Sequence, residues 1–88
     1  NLGLYQVGDR VIVRNDLNQT ARYFMNGSRE VSDIATRDMV ALRGQTVTIS
    51  EIVPNGKYRI RELAYRVWTD EMFEGLHISD IPTLGDLI

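Results

Sequence analysis

Eighty-eight residues make one domain near the lower end of what folds unaided, with a thin core and little room for a deep enzyme cleft. A composition that is 43% hydrophobic and 25% charged excludes a disordered chain, and the lack of cysteine excludes disulfides and a thiolate zinc site. The net charge of −2 is unevenly spread: residues 1–66 carry +3, while residues 67–88 hold Asp70, Glu71, Glu74, Asp80 and Asp86 with no Lys or Arg, giving −5.

The stretch "YQVGDRVIVRND" opens with a turn at Gly8 and Asp9 and continues as a strand. Val11 and Val13 alternate with Arg10, Ile12 and Arg14, and Ile12 on the polar side fits a strand covered partly on both faces. Residues 17–33 lack a clean period and contain Asn26, Gly27 and Ser28, a strong turn signal. They read as a long, partly extended excursion that tucks Tyr23, Phe24 or Met25 against the core, with 24–33 as its most mobile part. Residues 32–44 predict a short helix. Asp33 or Thr36 can cap it, Met39, Val40 and Leu42 supply apolar contacts, and Gly44 stops it.

"QTVTISEIV" (45–53) is the clearest strand, with Val47 and Ile49 inward and Thr46, Thr48 and Ser50 outward. Residues 54–57 form a hairpin turn, because Asn55 and Gly56 accept the positive φ that tight hairpins need. "KYRIREL" (57–63) returns as its partner, with Tyr58 and Ile60 on one face and Lys57, Arg59 and Arg61 on the other. A bend at Ala64 and Tyr65 leads into a short strand over 66–69.

After Thr69 the pattern changes. Thr69 can cap the next amides, Asp70 and Glu71 suit the positive end of a helical turn, and Met72 and Phe73 are adjacent apolar residues. This predicts one 3-10 turn ended by Gly75, then a tail over 76–88 whose first residues, 76–81, serve as the last strand. Short strands punctuated by turns predict a mainly β fold, a small SH3-like β-barrel of about five strands with one short helix and a 3-10 turn. Residues 5–81 make the barrel, 17–33 a variable excursion and 76–88 a C-terminal tail, all within a single domain, 1–88.

Three pieces coincide: "YQVGDRVIVRNDL", "MVALRGQTVTISEI", and "YRIRE" followed by "VWTDEMFEGL". Together they resemble a family of small uncharacterised proteins encoded by phages and prophages of Gram-positive bacteria. The resemblance spans residues 5–76, and the closing Trp-Thr-Asp-Glu-Met-Phe-Glu is its most specific part. It implies an SH3-like barrel and a phage origin, hence the cytoplasm of a bacterial host cell, which fits a chain without an apolar run long enough to span a membrane. Two departures stand out. The family often has a Tyr-Gly-Gly segment where this chain has "RYFMNGSREVSD", and the apolar tail after Gly75 exceeds the shared motif.

Three sets of residues are candidates for function. Asp70, Glu71, Glu74 and Asp80 form an acidic end that can dock a basic partner or simply cap a turn and meet water. Lys57, Arg59 and Arg61 form a basic stripe that can follow phosphates, with Tyr58 or Tyr65 to stack, or can be a solvated face that discourages edge pairing. His77, the single histidine, has no nucleophile or carboxylate pattern around it. Neither a phosphate loop, a metal-ligand set nor a cofactor motif occurs. The expectation is therefore a protein that is not an enzyme, uses no cofactor or metal, and binds a host or phage protein. A host-defence antagonist, such as an anti-CRISPR that occludes a nuclease effector, is the sharpest version. A nucleic-acid-binding or regulatory barrel is the alternative, and a virion assembly component that self-associates through 76–88 is the third.

Overall fold

The computed structural model describes residues 4–25 and 28–77. Among them the chain forms β1 (Arg10–Val13), β2 (Arg22–Phe24), β3 (Ser32–Ile34), α1 (Arg37–Val40), β4 (Thr46–Ile52), β5 (Tyr58–Ile60), β6 (Leu63–Trp68), a 3-10 turn (Asp70–Met72) and β7 (Phe73–Leu76). Five strands make one sheet in the order β6-β5-β4-β1-β7, and β2 pairs with β3 as a separate hairpin. A strand, a long excursion, three meandering strands, a 3-10 turn and a last strand returning to the first is the order of an SH3-like barrel, and the mainly β expectation holds.

β4 is what turns a sheet into a wrapped core. Its first half pairs with β1, Val11 opposite Val47, and its second half pairs with β5, Ile49 opposite Ile60. The β4–β5 register slips between Ile49 and Glu51, and a bulge of this kind bends the strand and increases its twist. Alternation puts Val47 and Ile49 inside, as the sequence predicts, where they meet Val11, Val13, Tyr58, Ile60, Trp68, Met72 and Phe73. The Trp68 and Phe73 rings stack at 5.4 Å, while Tyr5 meets Tyr58 at 5.7 Å and Phe73 at 5.8 Å edge to face. Offset and edge contacts of this kind suit the ring quadrupole.

Several boundaries differ from the sequence reading, each for a physical reason. Residues 32–34 belong to β3, so the helix keeps only Arg37–Val40 behind Thr36. The bend expected at Ala64 and Tyr65 falls earlier, at Arg61 and Glu62, because Ile60 pairs with Leu63 across a tight turn. The 3-10 turn ends at Phe73 instead of Gly75, and the last strand is 73–76 instead of 76–81, since Phe73 pairs with Val13 and Leu76 with Val11. The buried Thr69 hydroxyl makes no cap and has no hydrogen-bond partner among the described residues.

The excursion is a built element. Arg22, Tyr23 and Phe24 pair with Ile34, Asp33 and Ser32, and Tyr23 and Met25 are buried while Phe24 is half-buried. Lys57 Nζ lies 3.1 Å from Asp33 Oδ2, an ion pair that ties this hairpin to the β4–β5 turn. The helix is fastened through Asp38. Its carboxylate accepts bonds from the Thr36 hydroxyl, from the Met39 N–H at 3.0 Å, and from β6 through the Tyr65 hydroxyl at 2.6 Å and Arg66 Nε at 3.1 Å.

Donation by the Thr36 and Tyr65 hydroxyls, then by Arg66, favours the charged form and holds Asp38 well below the usual carboxylate range. A carboxyl depressed in the folded state contributes stability above its unfolded value of about 4 and loses it as the pH falls toward the folded value. Asp38→Asn is therefore expected to cost about 1 kcal/mol at neutral pH, and the difference from wild type to shrink steadily below about pH 4. Chemical denaturation of both proteins from pH 7 to pH 2 measures it; a pH-independent gap would show that ionisation of Asp38 does not hold the helix.

Candidate functional site

The acidic end begins where β6 gives way to the 3-10 turn. Phe73 pairs with Val13 and Gly75 with Ile12, so Glu74 is the extra residue of a bulge between them. Gly75 adopts φ +150°, a region that side chains rarely enter, and this lets β7 take the bulge. The bulge re-aims Glu74: its Oε2 accepts the Asn15 N–H at 3.3 Å. One turn earlier, Glu71 Oε1 accepts the Phe24 N–H at 2.9 Å, and Arg14 Nη1 donates to the Glu71 carbonyl at 3.1 Å. The two exposed carboxylates thus staple the closing segment to the start of the loop after β1, at Asn15, and to the end of β2, at Phe24.

Asp70 differs from the expectation of three outward carboxylates. It is only 4% exposed, as the first residue of the turn, and its charge reaches Tyr5 and Tyr58. Burial raises the Tyr5 phenol above its ordinary value and the negative charge of Asp70 raises it further; burial likewise raises Tyr58, with Asp70 adding to it. Tyr58 keeps a partner by accepting the Tyr5 N–H at 3.2 Å. Asp80 lies outside the described residues.

Between these groups lies an open groove of about 590 Å³ lined by Leu4, Tyr5, Arg14, Asp70, Glu71, Phe73 and Glu74. Arg14 is the one basic residue of the lining among the described residues, and that charge is answered locally. Asp16 accepts from Arg14 Nε at 2.8 Å and from Nη2 at 2.9 Å, while the guanidinium sits 5.5 Å from the Tyr23 ring centroid. The side-chain hydrogen bond to Asp16 raises Arg14 above its ordinary value and lowers Asp16 below its own. Among the described residues the lining therefore carries more carboxylates than cations, beside Leu4, Tyr5 and Phe73.

The basic stripe is less available than its sequence suggests. The Lys57 side chain is 13% exposed and engaged by Asp33. Arg59 lies 3.6 Å from Glu51 and donates to the Ala64 carbonyl at 3.1 Å. Arg61 is exposed at the β5–β6 turn, beyond the end of the strand, and forms no ion pair among the described residues. Two of the three cations therefore spend their charge within the fold. The His77 N–H donates to the Arg10 carbonyl at 2.8 Å, extending the β1–β7 ladder.

Among the described residues no three His, Asp or Glu converge as a metal set, and no helix is long and apolar enough to cross a membrane. Sequence reasoning missed Leu4, Tyr5 and Arg14 as partners of the acidic end. They are 56 or more positions away from Asp70, and only long-range contacts bring them together: the Arg14 N–H donates to the Met72 carbonyl, and Tyr5 packs on Tyr58 and Phe73. Comparison with family models, with curated proteins and with solved structures gives no match.

Proposed function

We propose that this chain is a non-enzymatic binding protein that acts on another protein through its acidic closing segment. The observation that carries the reading is the anionic groove at residues 70–74, whose exposed carboxylates are held in place by the backbone amides of Asn15 and Phe24, distant in sequence. Groups fixed in this way lose little freedom on binding, so more of the contact energy appears as affinity. The opposing reading, a nucleic-acid barrel, has the weaker footing because Lys57 and Arg59 are already paired.

The resemblance to phage proteins extends the proposal by association. In its sharper form the partner is a nuclease effector of a host defence system, and the acidic end occupies its cationic nucleic-acid channel, as an anti-CRISPR would, in the cytoplasm of the bacterial host. The test is affinity purification of the tagged protein from nuclease-treated bacterial lysate, with mass spectrometry of what remains. One stoichiometric protein, lost with Glu74→Lys but not with Arg61→Glu, is the expected result. Disappearance of every partner on nuclease treatment, or binding that Arg61→Glu abolishes and Glu74→Lys leaves intact, would overturn it. Asp70 is unsuitable for charge reversal, since a lysine forced into its buried position disrupts the fold itself.

A further inference from the structure

We infer that the outer edge of β6 is a self-association surface held closed by a clasp of Asp38, Tyr65 and Arg66, and that release of the clasp lets β6 pair antiparallel with β6 of a second copy. The inference goes beyond the protein-binding reading above and uses none of its residues. Sheet topology is the first argument. β6 ends the five-stranded sheet, with β5 on one flank and no strand on the other. The Ala64 carbonyl accepts from Arg59 Nη1 at 3.1 Å. Among the described residues no other backbone group of 63–68 bonds outside the β5 pairing. A six-residue edge of this kind is a template for another strand unless something covers it.

The second argument is the cover. Tyr65 and Arg66 are consecutive in β6, so their side chains leave opposite faces of the strand. Both nevertheless reach one oxygen: the Tyr65 hydroxyl donates to Asp38 Oδ2 at 2.6 Å, and Arg66 Nε donates to it at 3.1 Å. The Arg66 guanidinium also sits 5.3 Å from the Tyr65 ring centroid. Side chains from opposite faces meet by curling round a flank of the strand, and β5 fills the other flank. Asp38 therefore stands beside the open edge, where Ile34, Thr36 and Met39 share a cavity of about 140 Å³ with Tyr65, Arg66 and Val67. Charge set against an edge blocks strand addition. The cover is also light: Tyr65 is 67% exposed and the Arg66 side chain 41%, and bonds so open to water contribute little.

The third argument is the sequence of the edge, which suits its own copy. Antiparallel pairing about a two-fold axis centred on Tyr65 sets Tyr65 opposite Tyr65, Leu63 opposite Val67 and Ala64 opposite Arg66. Aromatic meets aromatic, apolar meets apolar and a small side chain meets a long one, with no like charges opposed, which is what stabilises cross-strand neighbours. An axis centred on Arg66 would oppose two guanidinium groups and is disfavoured.

The experiment compares the full chain with Asp38→Ala and with Tyr65→Phe/Arg66→Gln by sedimentation over a range of protein concentrations. The double variant leaves the bonds to Asp38 from the Thr36 hydroxyl and the Met39 N–H intact, so it opens the edge without loosening the helix. Both variants are expected to form a reversible dimer at least about tenfold tighter than any formed by wild type. Amide hydrogen exchange at 63–68 should slow as the variants dimerise, since the new ladder protects those amides. Three results overturn the inference: folded variants as monomeric as wild type, dimers whose 63–68 amides exchange no more slowly, or a wild type that dimerises as tightly as the variants. If Asp38→Ala loses its cooperative unfolding transition, the double variant alone decides. Residues 70–74 take no part in this test, so its failure leaves the function proposed above standing.

Discussion

Trp68→Ala is expected to leave the protein unfolded, or compact without fixed packing, at 25 °C. Trp68 is fully buried, stacks on Phe73 at 5.4 Å, and forms the join between β6 and the closing turn. Removing so large a side chain from a core costs about 3–5 kcal/mol, because the surroundings collapse only partly into the space. A domain of this length has roughly 4–13 kcal/mol in all. Met72 and Phe73 reach the core only through the turn that Trp68 anchors, so the loss falls on strand closure as well as on packing. Trp68→Phe separates the two roles. The indole N–H has no hydrogen-bond partner among the described residues, so phenylalanine forfeits volume but no polar contact. It should fold and retain a cooperative transition. Circular dichroism with chemical denaturation of both variants checks this. Trp68→Ala within about 1 kcal/mol of wild type would falsify the view that this residue closes the barrel.

Trp68 and Phe73 lie inside, since a short chain with few large side chains needs them for burial. The strands over 46–52 and 58–60 were legible because alternation is a local signal, and so was the turn between them, where Gly56 takes φ +91°. What depends on long-range pairing was not. The strand at 32–34 reads as a helix start because Asp33 resembles a cap, yet cross-strand bonds to 22–24 decide its conformation. Asp70 reads as a surface carboxylate, and only the closure of the fold buries it. The turn before Arg22 had no glycine to announce it. Thr20 itself adopts φ +69°, held by its N–H to the Ala35 carbonyl at 2.8 Å.

That same loop sets the second large effect. Leu17→Ala is expected to cost about 2–5 kcal/mol, as much as a substitution in a central strand. In the sequence Leu17 sits in a polar stretch without periodicity, where an exposed leucine would be unremarkable. In the fold it is fully buried, one of the largest side chains that are. Its own N–H reaches the Arg14 carbonyl at 3.4 Å, and the Asn18 N–H donates to the Tyr23 hydroxyl at 2.9 Å. The Glu74 carboxylate holds the start of the same loop through the Asn15 N–H, and Glu71 holds β2, which follows it, through the Phe24 N–H. A leucine fixed in that frame leaves a cavity the backbone cannot close without breaking those bonds, which places the cost toward the upper half of the range. Leu4→Ala is the control, since Leu4 is exposed and its loss should stay within about 0.5 kcal/mol. Denaturant unfolding of the two variants gives both numbers. A Leu17→Ala loss below about 1 kcal/mol would mean that the loop is only loosely attached to the barrel, and the carboxylates of the groove would then lose the rigid support on which the proposed binding relies.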